Sequence, residues 1–201
     1  MSAKDDESEI QELLRVRDFE GAATGALRLY GPEVYGFLVN LTGGEPDAAE
    51  VFSQTAEDLW RGLASFRGHC TVRTWLYLLA RHAAGRYRRS PWNRGARTGE
   101  SKLDALVAEG RSRTSPWLRT DVKNKWRALR ETLDPDDRVL LVLRVDRDLQ
   151  WNEVARVMLG DEAPSDGDLA REAARLRKRF QLLKEDLKRR AKDAGLMDGE
   201  P

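Results

Sequence analysis

The sequence predicts an all-α protein of two small helical domains joined by a flexible linker, and three observations carry that prediction. Apolar residues recur at helical steps of three and four through most of the chain, with no sustained strand-like alternation. The stretch from 90 to 117, SPWNRGARTGESKLDALVAEGRSRTSPW, breaks this pattern with the Gly, Ser, Pro and Arg content of a linker. With 34% charged and 40% hydrophobic residues, 201 residues suit a globular chain with thin cores, and two compact units joined by a linker fit that. The expected boundaries are an N-terminal extension over 1–21, a first domain over 22–90, a linker over 91–118, a second domain over 119–195 and a tail over 196–201.

A short helix is expected over residues 9–18. Residues 22–41 carry Leu27, Tyr30, Val34, Phe37, Leu38 and Leu41 at helical spacings, and Gly31-Pro32 inside them predicts a kink or two consecutive helices. After a turn at Thr42-Gly43-Gly44, Pro46 suits the first turn of a helix running to about Leu63, with Asp47 and Glu50 well placed against its N-terminal dipole. Val51, Phe52, Thr55, Leu59 and Leu63 form its apolar side. A loop over 66–71 leads into a helix from Val72 to Arg89 that carries Val72, Trp75, Leu76, Leu79, Ala80 and Ala83 inward. Beyond the linker, which holds a short helical pattern at 101–109, four helical patterns cover about 119–132, 135–146, 151–159 and 167–193.

The net charge of +1 conceals a segregation of sign along the chain. Acidic residues gather at 5–12 and 45–58, and basic residues at 81–97 and 171–192, so different faces offer opposite potentials to different partners. Cys70 is the one cysteine and His69 and His82 are the two histidines, which excludes an internal disulfide and a multi-cysteine metal site. No nucleophile–base pairing, phosphate loop or metal cluster stands out, so the chain reads as a non-enzyme without cofactor or metal. No apolar run reaches the length of a membrane span, and no signal-peptide core opens the chain, so the expected location is the cytoplasm without membrane insertion.

The last helical pattern is the most regular. Leu169, Ala173, Leu176, Phe180, Leu183 and Leu187 make one seam, and Arg171, Arg175, Arg177, Lys178, Arg179 and Lys184 lie off it. A short coiled coil would show the same seam. The preceding LQWNEVARVMLG, a helix of about two turns ending at Gly160, makes the pair a helix-turn-helix, whose second helix enters the DNA major groove. In the first domain, FRGHCTVRTWLYLLARH (66–82) holds more arginine and aromatic character than a core helix needs. Arg73, Tyr77, Arg81 and His82 cannot all join the core that Trp75, Leu76 and Leu79 define, and such a face suits opened, single-stranded DNA. Ordinary core aromatics with solvated arginines are the alternative reading.

The run from LYGPEVYGF to GRYRRS, and above all LWRGLASFRGHCTVRTWLYLLAR, resembles the sigma-2 domain of extracytoplasmic-function (ECF) sigma factors, over about 60 residues. The stretch from about 126 to 190, with LRETLDPDDRVLLVLRVDRDLQWNEVARVMLG, is similar to the sigma-4 domain of the same family. The resemblance implies a sigma factor that binds core RNA polymerase, directs it to promoters and nucleates melting of the −10 element. The helix from Pro46 to Leu63 would dock on the β′ clamp helices through Glu50, Gln54 and Asp58. Arg67, His69 and Thr71 in the loop Arg67 to Thr71, which would receive a flipped base, and Arg73, Tyr77, Arg81 and His82 in the next helix would hold the opened −10 strand. Arg171, Arg175 and Lys178 would read the −35 element, with the β flap and an anti-sigma factor as further implied partners. The chain departs from the family at Ser53-Gln54 and Ala56, in the acidic turn DEAPSDGD after Gly160, about three residues longer than usual, and at Glu172 among the expected DNA contacts. A helix-turn-helix regulator acting without polymerase, and a protein-binding adaptor built on the terminal seam, are the competing functional readings.

Overall fold

The computed structural model describes residues 3–90, 126 and 128–196, and the described residues are helical with no strand. Helix α1 spans Ala3–Arg15, α2 Phe19–Thr42, α3 Glu45–Gly62 and α4 Val72–Arg89. In the second half, α5 spans Pro135–Leu141 and widens into a π turn over Val142–Asp146, followed by α6 over Trp151–Leu159 and α7 over Asp166–Asp193. The expected linker over 91–118, the helical pattern at 101–109 and most of that at 119–132 lie outside the described residues.

Local chemistry sets most of the boundaries. Asp18 opens α2 by accepting a hydrogen bond from the Gly21 amide at 2.9 Å, and Gly43 closes it in the left-handed conformation at φ 88°. Thr71 caps α4 through the Thr74 amide, and Ser165 caps α7 through the Asp168 amide, each at 3.1 Å. At α6 the Gln150 amide donates to Glu153 Oε2 at 2.8 Å, one arm of a capping box. The acidic segment after Gly160 therefore divides. Asp161 accepts from the Ala163 amide inside the turn, whereas Asp166 and Asp168 already occupy the first turn of α7, where its dipole favours them.

Two elements differ from expectation. Pro32 lies inside α2, which runs through it as one helix. An isolated helix would lose about 3 kcal/mol there, but Ala22, Ala23, Ala26 and Tyr30 before the proline, and Val34, Phe37 and Leu38 after it, are buried. The N-terminal extension is a helix that starts before residue 9 and packs on α2 through Ile10, with Leu13 and Leu14 partly buried. Buried residues from Ile10 to Leu183 form one contiguous core, so the two halves are packed together. Helix α4 contacts α2 and α3 on one side and α6 on the other, and α2 also meets α5.

Candidate functional site

The outer face of α3 carries Glu50, Ser53, Gln54, Glu57, Trp60 and Arg61, all exposed, while Val51, Thr55 and Leu59 turn inward. Gln54 Nε2 donates to Glu57 and Asp58, each at 3.2 Å. Asp58 differs from Glu50 and Gln54, because it is half-buried at the edge of this face and pairs with Arg86 across the α3–α4 seam. Trp60 is the residue that the pattern analysis passed over. The residue is 52% exposed, where a tryptophan of a closed surface would be covered. The signal was present, since Trp60 falls outside the stripe set by Val51, Thr55 and Leu59.

Arg67, His69 and Thr71 are exposed in the loop ahead of α4, and Gly68 makes the turn at φ 70°. Cys70 beside them is partly covered. Burial pushes its thiol up to about 11, against the opposing effect of Arg156. At the far end of α4 an open groove of about 390 Å³ is lined by Arg81, His82, Gly85, Arg86, Arg88 and Arg89, a basic surface suited to a phosphate backbone.

Between these ends the polar face of α4 exists, but the second half of the protein covers it. Arg73 donates from Nε and Nη2 to the two oxygens of Glu33 at 2.7 and 2.8 Å, and from Nη2 to the Arg147 carbonyl at 3.0 Å. The π turn places that carbonyl: the Arg147 amide reaches back to Val142 and Asp148 follows at φ 51°, ending the helical ladder there. Thr74 donates to Glu153 Oε1 at 2.7 Å. Arg81 donates from Nη1 to the Met158 carbonyl at 2.9 Å and from Nη2 to Asp136 at 3.1 Å. His82 Nε2 lies 3.0 Å from the Gly160 carbonyl, which can only accept, so this nitrogen carries the proton. Arg81 and His82 thus sit on the C-terminal end of α6, whose free carbonyls and negative dipole end favour cations.

Two glycines let the halves approach. Gly160 takes a left-handed φ of 72°, and a Cβ there would lie 3.0 Å from His82 Nε2. A Cβ on Gly36 of α2 would meet Arg147 Nη2 at 2.8 Å.

Tyr77 is placed differently from the sequence expectation. It is fully buried, with its ring edge-on to Phe37 at 5.3 Å, and is not on an open face. Burial, with the Glu33 carboxylate nearby, raises its phenol well above the ordinary tyrosine value. Its hydroxyl, with Arg138 Nε and Arg147 Nε, is buried without a hydrogen-bond partner among the described residues. An orphaned group of this kind costs about 1–3 kcal/mol. Glu33, Thr74, Asp136, Arg147 and Glu153 were not singled out in the sequence, because contacts between positions 40 to 79 apart leave no local pattern.

On α7 the predicted seam is buried at Leu169, Ala173, Leu176, Phe180 and Leu183, with Leu187 half-covered. Arg171, Arg175 and Lys178 are exposed and fall at i, i+4 and i+7, in one stripe on the side opposite the seam. Arg171 pairs with Asp168 and Arg175 with Glu172, each within one helical turn. The Arg171–Asp168 pair is exposed and weak, whereas Glu172 is largely covered beneath an exposed Arg175. No group of metal-ligating side chains occurs among the described residues, and no described helix is long and apolar enough to cross a membrane.

Residues 26–94, which include α3, the exposed loop and α4, match the family described as Sigma-70 region 2. The chain is also 30% identical over 135 residues to the RNA polymerase sigma factor YlaC of Bacillus subtilis (strain 168), a similarity covering 65% of this chain and 76% of that protein. The second half folds as the two-helix unit expected of a duplex-binding module, with its basic stripe outward, and the match to region 2 gives the first half a role that a stand-alone helix-turn-helix regulator lacks. The chain belongs to the sigma-70 family, as an ECF-type sigma factor that directs RNA polymerase to promoters.

Proposed function

We propose that each exposed face described above has one partner in the initiation complex. The outer face of α3 docks on the β′ clamp helices of core polymerase through Glu50 and Gln54, with Trp60 as its apolar anchor. Asp58 serves that face indirectly, by fixing α3 to α4 through Arg86. The loop Arg67 to Thr71 receives an unstacked base of the −10 element, and Arg73, Arg81 and His82 hold the strand beyond it, with Tyr77 supporting them from beneath. Arg171, Arg175 and Lys178 carry α7 into the major groove of the −35 element. On this reading residues 22–90 and 119–195 are the two working domains, 91–118 is the linker between them, the second domain meets the β flap, and an anti-sigma factor regulates the protein in the cytoplasm.

The observation that carries this reading is the arrangement along α4. Arg67, His69 and Thr71 stand exposed at one end of the helix and the arginine-lined groove opens at the other, which gives a single strand polar and basic contacts at both ends of α4. For the upstream contact, Arg171→Ala and Arg175→Ala in the polymerase holoenzyme should each flatten the plot of log affinity against log salt by about one unit for −35 duplex DNA. An unchanged slope in both variants removes α7's basic stripe from the DNA interface.

A further inference from the structure

We infer that Glu172 is a positioning residue for base recognition, whose carboxylate holds the Arg175 guanidinium so that the free edge of that group meets a guanine of the −35 duplex. The inference rests on the assignment of Arg175 to the −35 element made above, and adds which base that arginine reads and what aims it.

Two arginine pairs near the start of α7 share a sequence spacing and differ in geometry. Arg175 donates from Nε to Glu172 Oε2 at 2.7 Å and from Nη2 to Glu172 Oε1 at 2.5 Å, a side-on, bidentate pair. Arg171 reaches Asp168 through Nη2 alone, and Asp168 also accepts from the Ser165 hydroxyl. Exposure separates the pairs further. Glu172 keeps 13% of its side chain exposed beneath an Arg175 that is 56% exposed, whereas Arg171 and Asp168 are both exposed. Surface ion pairs hold little as a rule, and bidentate geometry on a covered carboxylate is the exception.

The place of Glu172 on the helix accounts for its cover. At about 100° per residue it falls between the buried seam of Ala173 and Leu176 and the outward stripe of Arg171, Arg175 and Lys178. Its carboxylate therefore braces Arg175 from the protein side. Of the arginine's five N–H groups, Glu172 takes one on Nε and one on Nη2, which leaves the Nη1–Nη2 edge with two parallel donors. In the major groove guanine alone presents two adjacent acceptors, O6 and N7; adenine offers one beside a donor, thymine one, and cytosine a donor. The free edge of Arg175 matches guanine.

Both bonds to Glu172 form before DNA arrives, so the orientation of the fork is set in advance and less side-chain freedom is lost on binding. The same carboxylate repels phosphate oxygens, which favours a contact inside the groove over one on the backbone. Arg175 brings its charge to the duplex in either case, so base preference, and not salt dependence, reports the role of Glu172.

Polymerase holoenzyme containing the wild type or a variant is used to select bound molecules from a library of short random DNA duplexes, and the recovered sequences give the base preference at each position. The wild type should enrich guanine at one position that Arg175→Ala makes indifferent. Glu172→Gln should lower the guanine preference at that same position about tenfold and leave the other positions within about twofold. Glu172→Asp should do the same although it keeps the charge, because an aspartate at this spacing holds Arg171 by a single nitrogen. Wild-type guanine preference in both Glu172 variants overturns the inference and leaves Arg175 in the −35 contact. An equal loss of preference at every position makes Glu172 a fold support and likewise overturns it. An unchanged profile in Arg175→Ala overturns both the inference and the assignment beneath it.

Discussion

Trp60→Ala is expected to weaken binding to core RNA polymerase by about 30-fold while leaving the melting temperature nearly unchanged. Truncating a well-placed interface tryptophan typically costs about 2 kcal/mol or more, and about 1.4 kcal/mol corresponds to a tenfold change in affinity. The fold has little to lose, because Trp60 is 52% exposed and stands off the stripe by which α3 packs. Titration of labelled core polymerase with wild type and variant measures the first quantity, and thermal unfolding the second. Equal affinity would move the docking surface away from this face of α3. A large fall in melting temperature with equal affinity would make Trp60 a packing residue.

Arg73 is expected to show two separable losses. Its bidentate pair with Glu33 is three-quarters buried, with 29% and 21% of the two side chains exposed. Arg73→Ala strands a carboxylate between α2 and α4 and should cost about 2 kcal/mol of stability, below the range for fully buried pairs because some solvent reaches this one. Adding Glu33→Gln removes the stranded charge and should return about half of that loss. Promoter opening by the holoenzyme, followed by permanganate reactivity of unpaired thymines, should remain impaired in both the single and the double variant. Recovery of opening together with stability would reduce Arg73 to a fold support.

The helices were legible wherever the chemistry that sets them is local. Pro46 in the first turn of α3, the Thr71 cap of α4 and the four-and-three repeat from Leu169 to Leu187 all act within one or two turns, and those helices lie within about a residue of expectation. The unbroken α2 was not legible, since the local signal of Gly31-Pro32 favours interruption and only burial on both sides of the proline outweighs it.

The exposure of the proposed contact residues was readable for the same local reasons. Glu50 and Gln54 lie off the apolar stripe of α3, and Arg171, Arg175 and Lys178 off the seam of α7. Tyr77 shows where this reasoning stops. Periodicity identified a polar and aromatic face on α4, but no spacing states what covers a face, and α2 itself covers part of this one through Phe37 and Glu33. The rest of the cover, over Arg73, Thr74 and His82, came from α6 and the end of the π turn, through Glu153, Arg147 and Gly160, at separations of 74 to 79 residues.

Promoter-directed transcription in vitro tests the central claim most directly. Purified core polymerase, incubated with fragments of genomic DNA and nucleotides, should produce discrete transcripts from a defined set of start sites only when this protein is added. Trp60→Ala should reduce their yield in proportion to its loss of core binding. A protein that is folded, as judged by its helicity, yet leaves the transcripts of core polymerase unchanged would contradict the account.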